Sequence, residues 1–342
     1  MRAIQVAAFG GPEVLVPVLL DEPVPGAGEV VIAVSVADVL FLDTMIRSGR
    51  FGAGFPITPP YVPGNGVAGE VVATGDGVDR SWIGRAVVAH TGPHGGSDGY
   101  AEQVAVAAER LVPVPDDVDP RVAAAVMHDG ATALGLMARI GARPGEWVLV
   151  LGAAGGMGLL LVQLARATGA RVIGAARTSG ASGTSGASGT SRADEKLTAI
   201  VKAGAEVVVD YSSPGWVEQV ADATGGTGPD VVFDGVGGQF GRAAFAITAA
   251  GGRFSQHGVP GGGFAGITQE MAAQRGVQVQ GIEQAQYAPG QREEFIGLAL
   301  SGAAAGRIEP VIGQVFPLES AARAHAAIAA RTVIGKTLLT VG

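Results

Sequence analysis

Residues 148–158, Val-Leu-Val-Leu-Gly-Ala-Ala-Gly-Gly-Met-Gly, set an apolar run directly before a cluster of glycines. Leu159–Ala167 then continues with apolar residues at helical spacing. Strand, tight turn and helix in this order form the arrangement that holds a dinucleotide pyrophosphate. Gly155 would let the backbone approach the phosphates, Gly158 would let the helix pack close to the strand, and free N–H groups at the helix start would face the anion. The core is Ala153-x-Gly155-x-x-Gly158, with alanine at the first glycine position of the usual pattern. The competing interpretation is a glycine turn in an unrelated α/β domain. A second apolar stretch, Ala170–Ala175, arrives where a βαβ unit needs it and favours dinucleotide binding.

The end of that second stretch bears on which dinucleotide is bound. An acidic residue about 20 positions past the glycines bonds the ribose 2′-hydroxyl in NAD-binding folds. Here the stretch ends Gly174-Ala175-Ala176-Arg177-Thr178-Ser179, without an acid. Arg177 offers charge-assisted bonds to a 2′-phosphate, Thr178 and Ser179 offer hydroxyls, and Lys196 follows. A solvated surface arginine is the alternative for Arg177. The pattern points to NADPH rather than NADH.

The elements that must position these residues follow from the rest of the chain. At 342 residues, two domains are expected, and 47% hydrophobic residues suffice for sizeable cores. The net charge of −8 and the lack of a basic run argue against nucleic acid or an anionic membrane as partner. No apolar stretch is long enough to cross a bilayer and the N-terminus opens like a strand, so a soluble, cytoplasmic protein is expected. The chain has no cysteine, which removes disulfides, thiol nucleophiles and thiolate metal sites. The five histidines, His90, His94, His128, His257 and His325, show no metal-binding spacing, and no metal site is expected.

Residues 1–120 are β-rich, with strands expected at Val30–Val36, Gly69–Thr74 and Ala86–Ala89. From Arg121 the texture changes. A helical stretch, Arg121–Ile140, leads into strand–helix alternation with strands at Trp147–Leu151, Val172–Ala175, Val207–Val209, Val231–Asp234 and Gly252–His257. Such alternation predicts an α/β fold with a doubly wound parallel sheet. An edge strand is expected at Val277–Ile282, helices at Gln291–Ala304 and Ala321–Ala330, and a last strand at Lys336–Val341. That closing strand needs a partner in the first domain, giving a β domain of 1–120 completed by 292–342 and a dinucleotide domain of 121–291. Residues 178–191 repeat Thr-Ser-Gly-Ala-Ser-Gly, with no side chain able to bury surface. A neutral expansion or an engineered linker is preferred there over an adaptable flap above the 2′-phosphate.

Beyond the glycine turn, the chain resembles the zinc-independent medium-chain dehydrogenases/reductases, specifically the NADPH:quinone oxidoreductases related to zeta-crystallin. The resemblance rests on Phe9-Gly10-Gly11-Pro12-Glu13-Val14-Leu15, Phe41–Gly49, Pro63–Gly69, Gly99-Tyr100-Ala101-Glu102, Asp129-Gly130-Ala131-Thr132-Ala133, the Ala153–Gly158 loop, Lys202–Ala205 and Asp210-Tyr211. It implies a GroES-like β domain plus a Rossmann domain with the active-site cleft between them. It also implies homodimers that extend the Rossmann sheet edge to edge, here through 277–282. It gives the pyrophosphate to Ala153, Ala154, Gly155, Gly156, Met157 and Gly158, and the adenosine phosphate and ribose to Arg177, Lys196 and Tyr211. Thr132 would sit near the nicotinamide, and Gln256, His257, Gly258 and Val259 would line its side.

Departures from the family pattern shape the chemistry. Zinc-dependent relatives carry Gly-His-Glu where this chain has Gly64-Asn65-Gly66. Quinone-reducing relatives often have asparagine at position 40 and tyrosine at position 45, where this chain has Leu40 and Met45. A more apolar cleft follows, which leans from quinones toward enones. Asp43 has either a catalytic role or a structural one, bonding backbone or an arginine such as Arg47. Hydride transfer to an enone or a quinone builds negative charge on oxygen, which needs a hydrogen-bond donor and then a proton. The Thr132 hydroxyl, Tyr61, His128 and His257 are the candidates. NADPH-dependent reduction of a quinone and of an α,β-unsaturated carbonyl, enoyl-reductase work included, both stay open. A third reading is a cofactor-binding protein with little or no catalysis. A zinc alcohol dehydrogenase is nearly excluded.

Overall fold

The computed structural model describes residues 1–50, 57–92, 97–178, 192–281, 287, 288 and 290–342. His94, Ile282 and the 179–191 part of the small-residue repeat lie outside the described residues. The chain divides into two compact units, Met1–Ala131 with Gly290–Gly342, and Thr132–Pro289.

The first unit opens with β1 (Arg2–Val6) and β2 (Leu15–Leu19), an antiparallel pair. The long strand β3 (Glu29–Val39) leads into α1 (Phe41–Arg47). β4 (Gly66–Thr74), β5 (Ala86–His90), β6 (Gln103–Ala107) and β7 (Val112–Pro113) follow. Alternating valines explain β3: Val30, Ile32 and Val34 face one core with Val67, Val71 and Val104. The expected helical stretch of Arg121–Ile140 is present as two helices, α2 (Pro120–Met127) and α3 (Asp129–Ile140), with His128 as the C-cap of α2. Asp119 caps α2 by accepting the Arg121 N–H at 2.7 Å, and Pro120 fills the first turn, where its missing N–H costs nothing. Ala131 ends the first unit, so α2 belongs to it and α3 carries the chain into the second.

The second unit alternates strand and helix: β8 (Trp147–Leu151), α4 (Gly156–Ala167), β9 (Arg171–Ala176), α5 (Arg192–Lys202), β10 (Val207–Asp210), α6 (Trp216–Ala223), β11 (Val231–Asp234), α7 (Gly238–Ala246), β12 (Arg253–Gln256), α8 (Gln269–Arg275) and β13 (Gln278–Gly281). Among the described residues the strands form one parallel sheet in the order β10-β9-β8-β11-β12-β13. Chain direction across the sheet reverses between β8 and β11, the switch point where open α/β sheets bind ligands beyond their carboxyl ends. Every residue of β8 and β11 is buried, as both faces of a doubly wound sheet require. Each Val or Leu side chain buried there contributes roughly 1.5–3 kcal/mol.

The chain then returns to the first unit with α9 (Gln291–Ala304), β14 (Ile312–Pro317), α10 (Ala321–Ala329) and β15 (Lys336–Thr340). β15 lies antiparallel against β3, pairing Leu338 with Asp38, and parallel against β14. The larger sheet of this unit therefore contains strands from both ends of the chain. Among the described residues, no helix is long and apolar enough to cross a membrane.

Candidate functional site

In the second unit, the turn after β8 is built by Gly152, whose φ of 77° only glycine adopts without strain. The N–H groups of Gly152 and Ala153 both donate to the Ala175 carbonyl at 3.0 Å, locking the turn to β9. The turn glycine thus stands one residue before Ala153, which explains why alanine is tolerated at the first position of the pattern. A Cβ on Gly158 would run into the Gly152 carbonyl oxygen and stand 2.8 Å from Ala153 Cα. Helix α4 therefore packs on the turn at a distance only glycine permits. Gly155 differs: among the described residues a Cβ there would meet nothing closer than the Gly152 carbonyl at 3.4 Å. The protein itself leaves room at Gly155, which is exposed and caps α4 without a side chain. The first-turn N–H groups of α4 lack intrahelical acceptors by geometry and suit an anion.

Arg177 follows β9. Its guanidinium lies 5.1 Å from the centre of the Phe240 ring and 6.0 Å from that of Tyr211, and its buried Nε has no partner among the described residues. The buried Lys196 Nζ donates to the Arg177 carbonyl at 3.2 Å. Arg177, Lys196 and Tyr211 are therefore brought together. Asp210, at the end of β10, fixes the neighbouring residue: it accepts from the Thr178 N–H at 3.2 Å and from the Thr178 hydroxyl. It also accepts from the Ser212 N–H at 2.8 Å and the Ser213 hydroxyl at 2.9 Å. Burial pushes the Asp210 carboxyl up, but the bonds from Ser212 and Thr178 outweigh it and hold the group down at about 2. Phe240 and Asp210 were not singled out for these roles from sequence, because a lone phenylalanine or aspartate at an element end carries no spacing signal.

Beyond β11 and β12 the backbone is interlocked. Asp234 Oδ1 accepts from the N–H groups of Val236 (3.0 Å) and Gly237 (2.7 Å), while burial raises this carboxyl to about 6. The Gly258 N–H donates to the Asp234 carbonyl at 2.9 Å, and a Cβ on Gly258 would collide with the Gly235 backbone. His257 follows β12, its Nδ1 2.9 Å from the Ser255 hydroxyl. Val259 continues this segment, its carbonyl accepting the N–H of Gly262 at 3.0 Å. Thr132 lies half-buried on α3.

The remaining candidates lie in the first unit. Asp43 Oδ2 accepts the Leu40 N–H at 2.8 Å and the Tyr100 hydroxyl at 3.0 Å. Tyr100 also lies 3.1 Å from His325 Nε2. Burial, reinforced by nearby Asp38, raises Asp43 to about 7, and burial lowers His325 to about 3. Arg47 Nε and Nη1 and the Tyr61 hydroxyl are buried without partners among the described residues, and burial pushes the Tyr61 hydroxyl far above its usual range. Asp43 thus bonds backbone and a tyrosine.

His128 stands elsewhere in this unit, its ring centre 5.4 Å from that of His90. His90 Nδ1 lies 3.1 Å from Asn65 Oδ1. Burial, aided by the charges of Lys336 and Arg292, lowers His128 to about 3, so its imidazole is neutral at physiological pH. A further cluster had no sequence signal because its members are far apart in the chain. The buried Lys336 ammonium lies 3.2 Å from Asp38 Oδ2 and 3.3 Å from Asp129 Oδ1. Among the described residues, no group of three or more His, Asp or Glu side chains is arranged to hold a metal ion.

Comparison with known proteins agrees with this architecture. Residues 26–116 match the alcohol dehydrogenase GroES-like domain, and residues 203–339 match a domain described as zinc-binding dehydrogenase. A quinone oxidoreductase of Pseudomonas aeruginosa is 34% identical over 99% of both chains. A mycobacterial protein solved in complex with NADPH is 32% identical, covers 99% of this chain and 100% of its own, and superposes with a TM-score of 0.85. The Escherichia coli quinone oxidoreductase, also solved with NADPH, is 27% identical over 99% of this chain and 100% of its own, with a TM-score of 0.87. Sequence and fold agree along the whole length, and the chain belongs to the quinone oxidoreductase family of the medium-chain dehydrogenases/reductases.

Proposed function

We propose that this protein is an NADPH-dependent reductase that passes hydride to a quinone or to the β-carbon of an α,β-unsaturated carbonyl compound, without zinc. The observation that carries the reading is the row of features along the carboxyl ends of the second unit's strands. Arg177 follows β9, the Gly152–Gly158 turn follows β8, and His257 follows β12. The residues fit NADPH: among the described residues nothing fills the room at Gly155, and Arg177 Nε is buried without a partner. The NADPH complexes of the mycobacterial and Escherichia coli relatives support the same cofactor.

Bound NADPH would supply the hydride from its nicotinamide ring. Residues 153–158 would hold the pyrophosphate, and Arg177, with Lys196 and Tyr211 beside it, the adenosine 2′-phosphate. Thr132, His257, Gly258 and Val259 would line the nicotinamide end. Among the oxygen-stabilising candidates, Tyr61 keeps its proton far above neutral pH, and its hydroxyl has no partner among the described residues. It is our preferred hydrogen-bond donor to a substrate oxygen. His128, neutral at physiological pH, donates a hydrogen bond rather than an imidazolium proton. Asp43 is a positioning residue, because its bonded oxygen is occupied by Leu40 and Tyr100.

Zinc independence rests on the donor set. The chain lacks cysteine, Leu40 is apolar, and the Asn65 side-chain oxygen faces His90. Among the described residues β13 is the last strand of the sheet, and a second copy of the chain meeting the sheet there is the proposed homodimer contact.

The test is loss of NADPH absorbance with chelator-treated protein, run against parallel panels of quinones and enones. Turnover that survives chelation supports the reading, and the preferred panel names the substrate class. Saturable NADPH binding with no turnover on either panel would favour a cofactor-binding role without catalysis. Turnover that disappears on chelation and returns with zinc would refute the zinc-free reading.

A further inference from the structure

His90, only 6% exposed at the end of β5, is an imidazole whose proton can be placed from its contacts. Its Nδ1 lies 3.1 Å from Asn65 Oδ1 and 3.2 Å from the Asn65 backbone carbonyl oxygen. That carbonyl also accepts the Thr91 N–H at 3.0 Å, and it has a second lone pair for His90. A backbone carbonyl only accepts. Nδ1 therefore carries the proton, whichever way the Asn65 amide is turned. Burial, with neighbouring His128 and the charge of Arg292, holds the ring well below the ordinary histidine range, so it is neutral and has one N–H. Nε2 is then a bare lone pair, which accepts a hydrogen bond and cannot donate one. No described residue bonds it.

His128 stands beside this acceptor. The two ring centres are 5.4 Å apart and the planes cross at 69°, so one small molecule can touch both rings. His128 is neutral as well, and its Nδ1 is buried without a partner among the described residues. Asn65, His90 and His128 all belong to the first unit. On the reading above, His128 is a donor to the substrate oxygen. His90 asks for the opposite chemistry. A carbonyl oxygen offers only lone pairs, which the Nε2 lone pair repels, whereas a hydroxyl can donate to it. A substrate with a carbonyl alone leaves Nε2 unmet, and one with a hydroxyl beside the carbonyl satisfies both imidazoles. Sites built to bond a hydroxyl reject the analogue that lacks it, because a buried polar group is then left unpaired.

We infer that His90 is a specificity-determining residue, and that the preferred substrate carries a hydroxyl beside the reducible carbonyl: an α-hydroxy enone or a hydroxymethyl quinone. His90 Nε2 accepts from that hydroxyl while His128 donates to the carbonyl oxygen. The inference rests on the reductase reading above and narrows its substrate class. The hydroxyl takes no part in the redox step. For the enone, hydride from NADPH goes to the β-carbon and a proton from solvent to the α-carbon, giving the saturated hydroxy ketone and oxidised cofactor.

The test uses matched substrates that differ by one hydroxyl. NADPH oxidation is followed with methyl vinyl ketone against hydroxymethyl vinyl ketone, and with para-benzoquinone against its hydroxymethyl derivative. The chain has no cysteine for these compounds to alkylate. Wild type should favour the hydroxylated member of its better pair by about tenfold or more in kcat/KM. His90→Phe, which keeps a flat ring without an acceptor, should bring that ratio to about one. His90→Gln, whose amide oxygen accepts, should keep part of the preference. Nitrogen NMR of isotope-labelled histidine reads the tautomer independently of turnover, with His90 expected to show a protonated Nδ1 and a bare Nε2. A wild-type ratio near one, a ratio that survives His90→Phe, or a protonated Nε2 would overturn the inference while leaving the reductase reading intact. No turnover of either pair or of the wider panels above would overturn both. Should His90→Phe not fold, the wild-type ratio, His90→Gln and the NMR tautomer decide the matter.

Discussion

Asp43 and Tyr100 are joined inside the first unit by a hydroxyl-to-carboxylate hydrogen bond of 3.0 Å across 57 residues of sequence. The bond ties the start of α1 to the segment before β6, and His325 on α10 completes the chain at 3.1 Å from the same hydroxyl. Neither the carboxylate nor the imidazole is exposed, so each carries a pH signature of opposite sign.

Burial and Asp38 raise Asp43 to about 7, so the folded state holds its proton where the unfolded state has lost it. Between about pH 4 and pH 7 the folded state binds more protons, and stability falls as pH rises, by at most about 4 kcal/mol. Asp43→Asn removes this slope. Denaturation midpoints measured across that range will fall more steeply for wild type than for the variant; parallel curves would contradict the assignment. His325, lowered to about 3, works the other way: its contribution is present above about pH 6.5 and lost as pH falls toward 3.

Gly155 and Gly158 separate binding from stability. Gly158→Ala forces the new methyl into the Gly152 carbonyl and the Ala153 backbone, so about 1–3 kcal/mol of stability should be lost. Gly155→Ala finds 3.4 Å of room and should leave the denaturation midpoint nearly unchanged. Gly155→Val should weaken NADPH binding strongly in a folded protein. Urea melts and NADPH titrations on the three variants check this contrast. An unchanged NADPH affinity in Gly155→Val would mean that the cofactor lies elsewhere.

Arg177 and Asp210 should govern the choice between NADPH and NADH. Arg177→Leu removes the guanidinium, and NADPH affinity should drop by roughly 10- to 100-fold with NADH little affected. Asp210→Asn keeps the size but weakens the hold on Thr178, so a smaller drop of the same selectivity is expected. Paired titrations with the two cofactors give the ratio directly. A ratio unmoved by Arg177→Leu would show that the 2′-phosphate is held by other groups.

Lys336 neutralises two carboxylates in a buried place. Burial opposes its charge, but Asp129 and Asp38 offset this and hold the ammonium above the ordinary lysine range. Lys336→Met leaves both carboxylates without their cation, and a loss of about 3–5 kcal/mol is expected. Adding Asp38→Asn should recover part of it, because one of the stranded charges is removed. A single variant as stable as wild type would mean that the cluster takes up protons instead.

What the sequence disclosed was local. Trp147–Leu151 and the glycines after it announce themselves through period, turn chemistry and an adjoining helix, and the structure has them in that order. The break at His128 was hidden, because Arg121–Ile140 keeps helical composition straight through it. Strand β14, with its side chains alternating between half-buried and exposed, was passed over because Pro310 and Gly313 interrupt its start. Asp38, Asp129 and Lys336 could not be joined from sequence, since 298 residues separate the outer pair. Ser255 escaped notice for another reason. Ser255 lies in β12 and His257 just beyond its end, and only a structure shows the serine hydroxyl 2.9 Å from the imidazole Nδ1.

The backbone contact between Gly235 and Gly258 sets a boundary on how this site can change. Where two loops touch main chain to main chain, no side chain stands between them to be enlarged, trimmed or recharged. A side chain added at Gly258 meets the Gly235 backbone, so substitution there is expected to cost stability before it alters binding. Change there must come from neighbouring side chains such as His257, which stands beside Gly235, because the main-chain floor itself is closed to revision.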